Sequence, residues 1–270
     1  MKVFIITGAS DGIGAEIARQ LASSLRGEAT LVLAARSFDK LEAVAADCRN
    51  SGAQVLAVPT DVAQEAQCRA LIDRALQQFG RIDTLVNNAG VSAHALFADV
   101  KPQDLHWYEK LMKVNLWGAV WCTHAALPHL TASKGSIVAV SSLAGLVGVP
   151  GRTAYSATKF AVTGFFEALR VELKGAGVSV TTAFPGVVAT RTRHRGYNAK
   201  GEAAGFSGLN EDDAMSVPEC ARLIIDGMNR RQREVVMTAR GKFGRFMKLL
   251  APGLVENMAL AALKDKVKPH

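Results

Sequence analysis

Residues 2–14 read KVFIITGASDGIG, a short apolar run followed at once by a glycine-rich turn. The apolar run predicts a buried strand, and the residues that follow the turn predict a helix. The turn contains three glycines, Gly8, Gly12 and Gly14, which permit a tight turn and close approach of the backbone. The start of the helix offers free N–H groups to an anion. Strand, glycine turn and helix in this order indicate a dinucleotide-binding site, with a purely structural turn as the alternative.

Short apolar runs continue to alternate with helix-like stretches along the chain. Each run is apolar on both faces, which favours a parallel sheet covered by helices on both sides. The predicted strands are Val3–Thr7, Thr30–Ala35, Gln54–Val58, Thr84–Asn87, Ser136–Ser141, Ser179–Phe184 and Glu234–Met237. The predicted helices lie near residues 13–25, 38–49, 63–79, 103–130, 153–174 and 218–230. This pattern predicts an α/β fold over residues 1–270: a single doubly wound Rossmann-like domain with a seven-stranded parallel sheet flanked by helices.

The composition is typical of a folded, water-soluble domain. Of the 270 residues, 49% are hydrophobic and 21% are charged, which excludes a disordered or fibrous chain. The four cysteines are scattered, which predicts reduced thiols and a cytoplasmic location. The N-terminus runs straight into a strand, so we expect no signal peptide, and no apolar run approaches the ~20 residues of a membrane span. No metal site is expected, because the histidines form no ligand pattern: His94, His106, His124, His129, His194 and His270.

The net charge of +8 is concentrated near the C-terminus, where residues 221–270 hold eleven basic and four acidic side chains. In the tail, about 240–268, apolar side chains alternate with Arg240, Lys242, Arg245 and Lys248. Such a basic amphipathic segment can contact a membrane surface peripherally. Packing on the domain or on a second subunit is the alternative, and no nucleic-acid partner is expected.

A long glycine-rich segment, about 191–215, interrupts the alternation of strands and helices. A compact fold tolerates such an insertion mainly as a functional loop, so we predict a lid over the substrate. The lid carries a basic cluster, which consists of Arg191, Arg193, His194 and Arg195, beside Tyr197. The cluster suits an acidic substrate or the phosphates of NADP, and a mobile, solvated lid is the alternative.

The end of the second predicted strand bears on the choice of dinucleotide. Proteins that select NAD usually have Asp or Glu there, whereas a nearby Arg accommodates the 2′-phosphate of NADP. Ala35 occupies this position and Arg36 follows it, which favours NADP(H) over NAD(H). A solvated Arg36 is the alternative, and Asp11 near the phosphates opposes the extra charge.

Two polar positions after later strands remain open to two interpretations each. Asp61 can accept a hydrogen bond from the adenine amino group, form the N-cap of the next helix, or do both. The amide and small residues at 87–90, NNAG, either line the cofactor or connect the strands.

A second motif, SLAGLVGVPGRTAYSATK, occupies residues 142–159. Tyr155 and Lys159 are four residues apart on a predicted helix, so their side chains share one face. An ordinary tyrosine titrates near pH ~10, and a nearby ammonium favours its phenolate. Ser142, after a strand, can hold the same substrate oxygen. The motif therefore predicts a proton donor or acceptor for an alcohol–carbonyl pair.

Together these motifs resemble the short-chain dehydrogenase/reductase family over residues 1 to about 190, in order and with the family's spacings. The resemblance implies an NAD(P)-dependent oxidoreductase that interconverts a carbonyl and an alcohol by hydride transfer. It assigns proton transfer to Tyr155, lowering of the Tyr155 pKa and ribose binding to Lys159, and substrate orientation to Ser142 rather than Ser141. It assigns to Asn115 a bend in its helix and a water that relays protons.

The resemblance also implies a set of cofactor-binding residues and partners. The set comprises Gly8, Ser10, Asp11, Gly12, Ile13, Gly14, Arg36, Asp61, Val62, Asn88, Ala89, Gly90, Tyr155, Lys159, Pro185, Gly186, Val188 and Thr190, the last at the nicotinamide carboxamide. By resemblance the expected assembly is a homodimer or homotetramer. The resemblance names no substrate; our own hypothesis is a small lipophilic carbonyl compound or alcohol. A non-catalytic dinucleotide sensor and a membrane-surface scaffold are the alternative functions.

Overall fold

In the computed structural model, which describes residues 1–25 and 27–263, seven parallel strands form one sheet in the order β3-β2-β1-β4-β5-β6-β7. Every neighbouring pair is parallel. The predicted α/β fold class is confirmed. The strands are β1 (Lys2–Thr7), β2 (Ala29–Ala35), β3 (Gln54–Pro59), β4 (Thr84–Asn87), β5 (Ser136–Val140), β6 (Ser179–Phe184) and β7 (Glu234–Val236).

Helices cover both faces of the sheet. They are α1 (Gly12–Leu25), α2 (Phe38–Asn50), α3 (Glu65–Phe79), α4 (His106–Met112), α5 (Gly118–Ser133), α6 (Thr153–Glu172), α7 (Val217–Asn229), α8 (Ala239–Leu250) and α9 (Pro252–Ala261). The core on one face joins α1, α2 and α7 through residues such as Ile17 and Ile224. The core on the other face joins α3, α5 and α6 through Leu71, Cys122 and Phe166. All four cysteines lie in the described part of the chain and are buried and unpaired.

The predicted helix near 103–130 is present, and its regular winding changes at Asn115, where the resemblance placed a bend. A short 3₁₀ turn precedes α4, and the five residues Lys113–Trp117 form a π-helical turn before α5. Asn115 is the buried residue of this turn. Its side chain exchanges hydrogen bonds with the backbone of Val91, which holds the wider turn in place. A π turn of this kind often marks a functional position in a helix.

The strand order creates a crevice at the carboxyl ends of β1 and β4. The chain moves outward to β2 and β3 on one side of β1, and to β5, β6 and β7 on the other side of β4. The connections after these two central strands therefore diverge, and ligands of doubly wound sheets bind at such a point. A cleft of about 740 Å³ opens there.

The segment from 191 to 215 and the C-terminal helices close one side of this cleft. Leu209 in the lid pairs with Leu263 after α9, and Ala259 and Ala262 line the cleft. Within the described ranges no helix combines the length and the apolar character needed to cross a bilayer. Residues 264–268 of the predicted tail, and His270, lie outside the described residues.

Candidate active site

The turn between β1 and α1 forms one end of the cleft and leaves no room for a side chain at Gly8 or Gly14. Gly8 and Gly12 have positive φ angles of 68° and 56°. A Cβ atom at Gly14 would lie 2.4 Å from Asn88 Nδ2 and 2.5 Å from the carbonyl oxygen of Gly8. Asn88 is fixed there because its Nδ2 donates to the carbonyl oxygen of Thr7 at 2.9 Å. This backbone-lined cradle at the start of α1 fits the pyrophosphate of a dinucleotide.

The predicted cofactor-binding residues come together in this cleft, although they derive from six separate segments. With the exception of Gly14, which packs behind the turn, each of them lines the cleft. Their shared location follows from the parallel sheet, whose strands all end at this edge.

The charged side chains beside the turn include one that the sequence did not single out. Arg36 is exposed at the mouth of the cleft, and Lys40 lies next to it as a second cation. Asp11 accepts a hydrogen bond from the Gly12 N–H at 2.7 Å and pairs with Arg195 of the lid. Burial opposes the ionised form, but the hydrogen bonds from Arg195 and Gly12 hold the pKa of Asp11 below its usual range. The carboxylate is thus compensated by the lid.

Asp61 does not cap the helix that follows it, so that interpretation is wrong. Its Oδ1 accepts a hydrogen bond from the N–H of Ala63 at 3.0 Å, and α3 begins only at Glu65, with Gln64 at its N-cap. The extra turn between strand and helix uses the carboxylate locally. Asp61 still lines the cleft.

The two asparagines after β4 have different structural roles. Asn87 connects β4 to α5, since its Nδ2 donates to Thr123 Oγ1 at 2.9 Å. Asn88 connects β4 to β1 and also lines the cleft, where its contact with a cofactor remains a prediction.

The other end of the cleft contains Ser142, Tyr155 and Lys159. Lys159 Nζ lies 5.7 Å from the centroid of the Tyr155 ring and donates to the carbonyl oxygen of Val140 at 2.9 Å. Ser142 follows β5 and its Oγ accepts from the N–H of Ala144. The hydroxyl of Ser141 instead donates to the carbonyl oxygen of Lys159 inside the core. The two serines therefore point in different directions, and Ser142 lines the cleft together with Tyr155.

The electrostatic surroundings of Tyr155 favour its phenolate. Burial works against that form, but Lys159, Arg152, a hydrogen bond with Ser142, and Arg193 together lower the pKa of Tyr155 below its usual value. The pKa of Lys159 is also lowered, mainly by burial and to a smaller extent by Arg152, while Tyr155 opposes the shift. Two ionisable groups of the same helix thus have pKa values displaced from those in water.

Asn115 lies beside this group, within the π turn. Its Nδ2 donates to the carbonyl oxygen of Val91 at 3.0 Å and to Thr158 Oγ1 at 2.9 Å, and its Oδ1 accepts from the Val91 N–H. A Cβ added to Gly90 would lie 3.3 Å from Asn115 Oδ1 and 3.7 Å from Lys159 Nζ. Asn115 and Lys159 therefore both border Gly90.

Two arginines of the lid are anchored, so a fully solvated basic cluster is wrong for them. The Arg193 side chain is 12% exposed, and its Nε donates to Glu211 at 2.6 Å while its Nη2 donates to the carbonyl oxygen of Val188. Arg195 pairs with Asp11. The partner of Arg195 is 184 residues away in the chain, so this contact could not be predicted from the sequence of the lid.

Arg152 was not identified as a site residue from the sequence. It is 8% exposed and its guanidinium carbon lies 4.1 Å from the centroid of the Tyr155 ring. Its Nη2 donates to Ser92 Oγ at 2.7 Å and its Nε to the carbonyl oxygen of Ala93. Its position directly before α6, three residues ahead of the tyrosine, is the one local signal that was available.

The comparison with protein families decides what this constellation belongs to. Residues 2–200 match the family model described as short chain dehydrogenase. The chain belongs to the short-chain dehydrogenase/reductase family. Like other members of that family, it is an NAD(P)-dependent oxidoreductase acting on CH–OH and C=O groups, as the motifs predicted.

Individual relatives of this short-chain dehydrogenase/reductase agree with the assignment. It is 37% identical over 266 residues to 11-beta-hydroxysteroid dehydrogenase 1A of Arabidopsis thaliana, covering 94% of this chain and 73% of that relative. A Burkholderia phymatum member solved with NAD has a TM-score of 0.79 at 26% identity, covering 94% of each chain. An alcohol dehydrogenase from Thermococcus sibiricus, complexed with 5-hydroxy-NADP, has a TM-score of 0.71 at 26% identity, covering 87% of this chain and 94% of its own.

Proposed function

We propose that the protein is an NADPH-preferring carbonyl reductase that acts on a lipophilic ketone, or on the corresponding secondary alcohol in reverse. The observation that carries this proposal is the half-buried phenol of Tyr155. It lies between the cations of Lys159 and Arg152, in the same cleft as the glycine turn. A phenol in these surroundings can exchange a proton near neutral pH.

Binding of the dinucleotide follows from the two ends of the cleft. The backbone from Gly8 to Gly14 would hold the pyrophosphate, and Asp61 and Val62 would border the adenine. Lys159 would hold the nicotinamide ribose and Thr190 the carboxamide, as the family pattern implies. When bound, the nicotinamide supplies or accepts the hydride.

The side chains at the inner end would handle the substrate oxygen and its proton. Ser142 would hold the oxygen by a hydrogen bond, and Tyr155 Oη would donate its proton as the carbonyl becomes an alcohol. In the oxidation direction the phenolate would remove the hydroxyl proton. Lys159 stabilises that phenolate, and Asn115 would hold a water that returns the proton to solvent.

The preference for NADPH is supported by Arg36 and Lys40 at the mouth of the cleft. The acid that would oppose an additional phosphate, Asp11, is compensated by Arg195. We expect Arg36→Ala to raise KM for NADPH about tenfold while leaving KM for NADH nearly unchanged, because one charge-assisted contact contributes about 1.5–3 kcal/mol. Arg69→Ala, on the surface of α3, is the control, and equal effects on both cofactors would exclude this role for Arg36.

The lipophilic substrate is supported by the apolar residues that line the cleft together with Tyr155. The lining includes Leu143, Val149, Leu209, Ala259 and Ala262. Relatives at 37% identity are named 11-beta-hydroxysteroid dehydrogenases, which makes bulky oxosteroids and hydroxysteroids the first compounds to test.

The function is tested by following NADPH and NADH oxidation over aldehydes, ketones, quinones and oxosteroids. Tyr155→Phe should reduce kcat by at least about a hundredfold while the dinucleotide still binds, because the proton donor alone is removed. Absence of turnover across the panel, with dinucleotide binding retained, would instead favour the non-catalytic sensor. A fully active Tyr155→Phe variant would exclude the proposed acid–base residue.

Peripheral membrane contact through α8 is a separate part of the proposal, supported by its exposed surface. Phe246 and Leu249 are 63% and 83% exposed, and Arg240 and Lys242 project from the same helix. We expect co-sedimentation with anionic vesicles that is lost in Phe246→Glu but kept in Val171→Glu, an exposed apolar position on α6. Unchanged sedimentation after deletion of residues 240–270 would remove this contact.

A homodimer or homotetramer is proposed through the helices over 103–130 and 153–174. It is supported by apolar side chains that remain exposed there, namely Trp117 at 45% and Phe160 at 38%. Light scattering after size-exclusion chromatography should give a multiple of the 28.7 kDa chain mass, and Trp117→Glu should reduce it. A monomeric parent protein would contradict the assembly.

A further inference from the structure

Arg152 carries a charge that the reaction described above does not require. It is buried, yet among the described residues no ion pair includes it or Lys159. A buried charge without a counter-charge is strongly unfavourable, and folded proteins retain such a charge mainly where something nearby compensates it. The compensating group has to be found among its neighbours.

The contacts of Arg152 leave one candidate. Its Nε and Nη2 are held by neutral acceptors, the carbonyl oxygen of Ala93 and the hydroxyl of Ser92. His94 also faces it, but burial and the arginine charge lower the pKa of His94 to about 4, so the imidazole is neutral. The guanidinium lies on the face of Tyr155, 4.1 Å from the ring centroid. Among these groups only the phenol can become an anion.

We propose that Arg152 is a positioning residue which, together with Lys159, stabilises the phenolate form of Tyr155. The proposal rests on the proposed role of Tyr155 in proton transfer and extends it. The groups that face the phenol come from three segments: Lys159 and Arg152 on or beside α6, Ser142 after β5, and Arg193 in the lid.

Two cations beside one phenol have a clear electrostatic consequence. With a neutral phenol, Lys159 and Arg152 leave two uncompensated positive charges in the site, and ionisation of Tyr155 reduces this to one. Lys159 has the larger effect on the pKa of Tyr155, with Arg152 next among the charges. Lys159 is also expected to bind the nicotinamide ribose, whereas Arg152 is fixed to the loop that holds Ser92 and Ala93. Its charge therefore stays beside the phenol with or without cofactor.

The ultraviolet absorbance of tyrosinate tests this directly in the protein without added dinucleotide. The chain contains three tyrosines, so the difference between parent and Tyr155→Phe isolates the titration of Tyr155. The same difference is measured in Arg152→Gln, Arg152→Met and Arg152→Lys, each against its own Tyr155→Phe partner, with folding checked by thermal unfolding. The Gln and Met variants should titrate at higher pH than the parent, and the Lys variant should lie between.

A matched control separates the charge from the hydrogen bond that holds it. Ser92→Ala removes the acceptor of Nη2 but leaves the guanidinium charge in place. It should titrate close to the parent. An unchanged midpoint in the folded Gln or Met variant would overturn the proposal, and so would a shift in Ser92→Ala as large as that in Arg152→Gln.

Steady-state kinetics give a second test, because the rates of alcohol oxidation and carbonyl reduction should change in opposite ways. A higher pKa of Tyr155 leaves less phenolate at neutral pH, so alcohol oxidation by Arg152→Gln should fall about tenfold there and recover as the pH rises. Carbonyl reduction needs the protonated phenol, so its loss at alkaline pH should be delayed. A loss of oxidation that is uniform across pH would overturn the proposal. If Tyr155→Phe stays fully active while the titration shifts occur, the proposed function fails and the electrostatic role of Arg152 stands.

Discussion

Gly14 and Gly164 are both helical glycines, but the space around them differs. A Cβ at Gly14 would clash with Asn88 and with the backbone of Gly8, whereas a Cβ at Gly164 meets nothing within 4 Å. We expect Gly14→Ala to lower the thermal midpoint and abolish dinucleotide binding. Gly164→Ala should increase the free energy of unfolding by about 0.5–1 kcal/mol, because Ala is favoured over Gly in a helix. Denaturant unfolding measures the stability of both variants, and dinucleotide titration measures their binding. A Gly14→Ala variant more stable than the parent would contradict the close packing of the glycine turn.

Single residues were predictable where their partners are close in sequence. Tyr155 and Lys159 share a helix face, so their spacing alone brought them together. Arg152 and Lys40 were missed because what makes them notable is their neighbours: Arg152 contacts a loop far away in the chain, and Lys40 borders the cleft beside the β1–α1 turn. Local pattern carries no information on such contacts.

At the scale of elements, the ion pair of Arg195 with Asp11 joins the lid to the glycine turn. Both side chains are about half exposed, so the pair contributes at most about 1 kcal/mol. Arg195→Ala should therefore weaken dinucleotide binding by no more than about fivefold, by leaving an uncompensated carboxylate near the phosphates. The control Arg191→Ala should bind as the parent does.

A second variant decides between charge and closure as the cause. Asp11→Asn combined with Arg195→Ala removes the carboxylate as well and should restore the affinity measured by fluorescence titration. Affinity that stays low in the double variant would mean that the lid contact, and not the charge, is responsible.

Element boundaries were predictable where the apolar runs are short and sharply bounded. All seven strands end within one residue of their predicted C-terminal positions, for instance β4 at Asn87. The irregular turn at 113–117 was expected only through the resemblance, which placed a bend at Asn115; periodicity does not reveal it, because a five-residue π turn barely disturbs the apolar pattern. What holds it is the side chain of Asn115 on a loop from another part of the chain.

At the scale of the whole molecule, the lid and the C-terminal end complete a cleft whose other walls come from the sheet. Leu263 is 3% exposed and pairs with Leu209, whereas Leu249 is 83% exposed. Leu263→Ala should remove about 2–5 kcal/mol of packing at this junction and raise KM for the lipophilic substrate, with the dinucleotide Kd unchanged. Leu249→Ala is the matched control and should change neither. A dinucleotide Kd that rises as much as the substrate KM in Leu263→Ala would show that the two ends of the cleft are not independent.

The π turn places two functions within a few residues of one another. Asn115 is buried in this turn and hydrogen-bonded to Val91 and Thr158, while Trp117, two residues later, is exposed on the helix that is proposed to meet a second subunit. Removing one residue from the turn would rotate everything after it by about 100° about the helix axis. The candidate active site and the proposed association surface would then be misaligned with each other. The length of this turn therefore constrains both surfaces, and a change in length that alters one also alters the other.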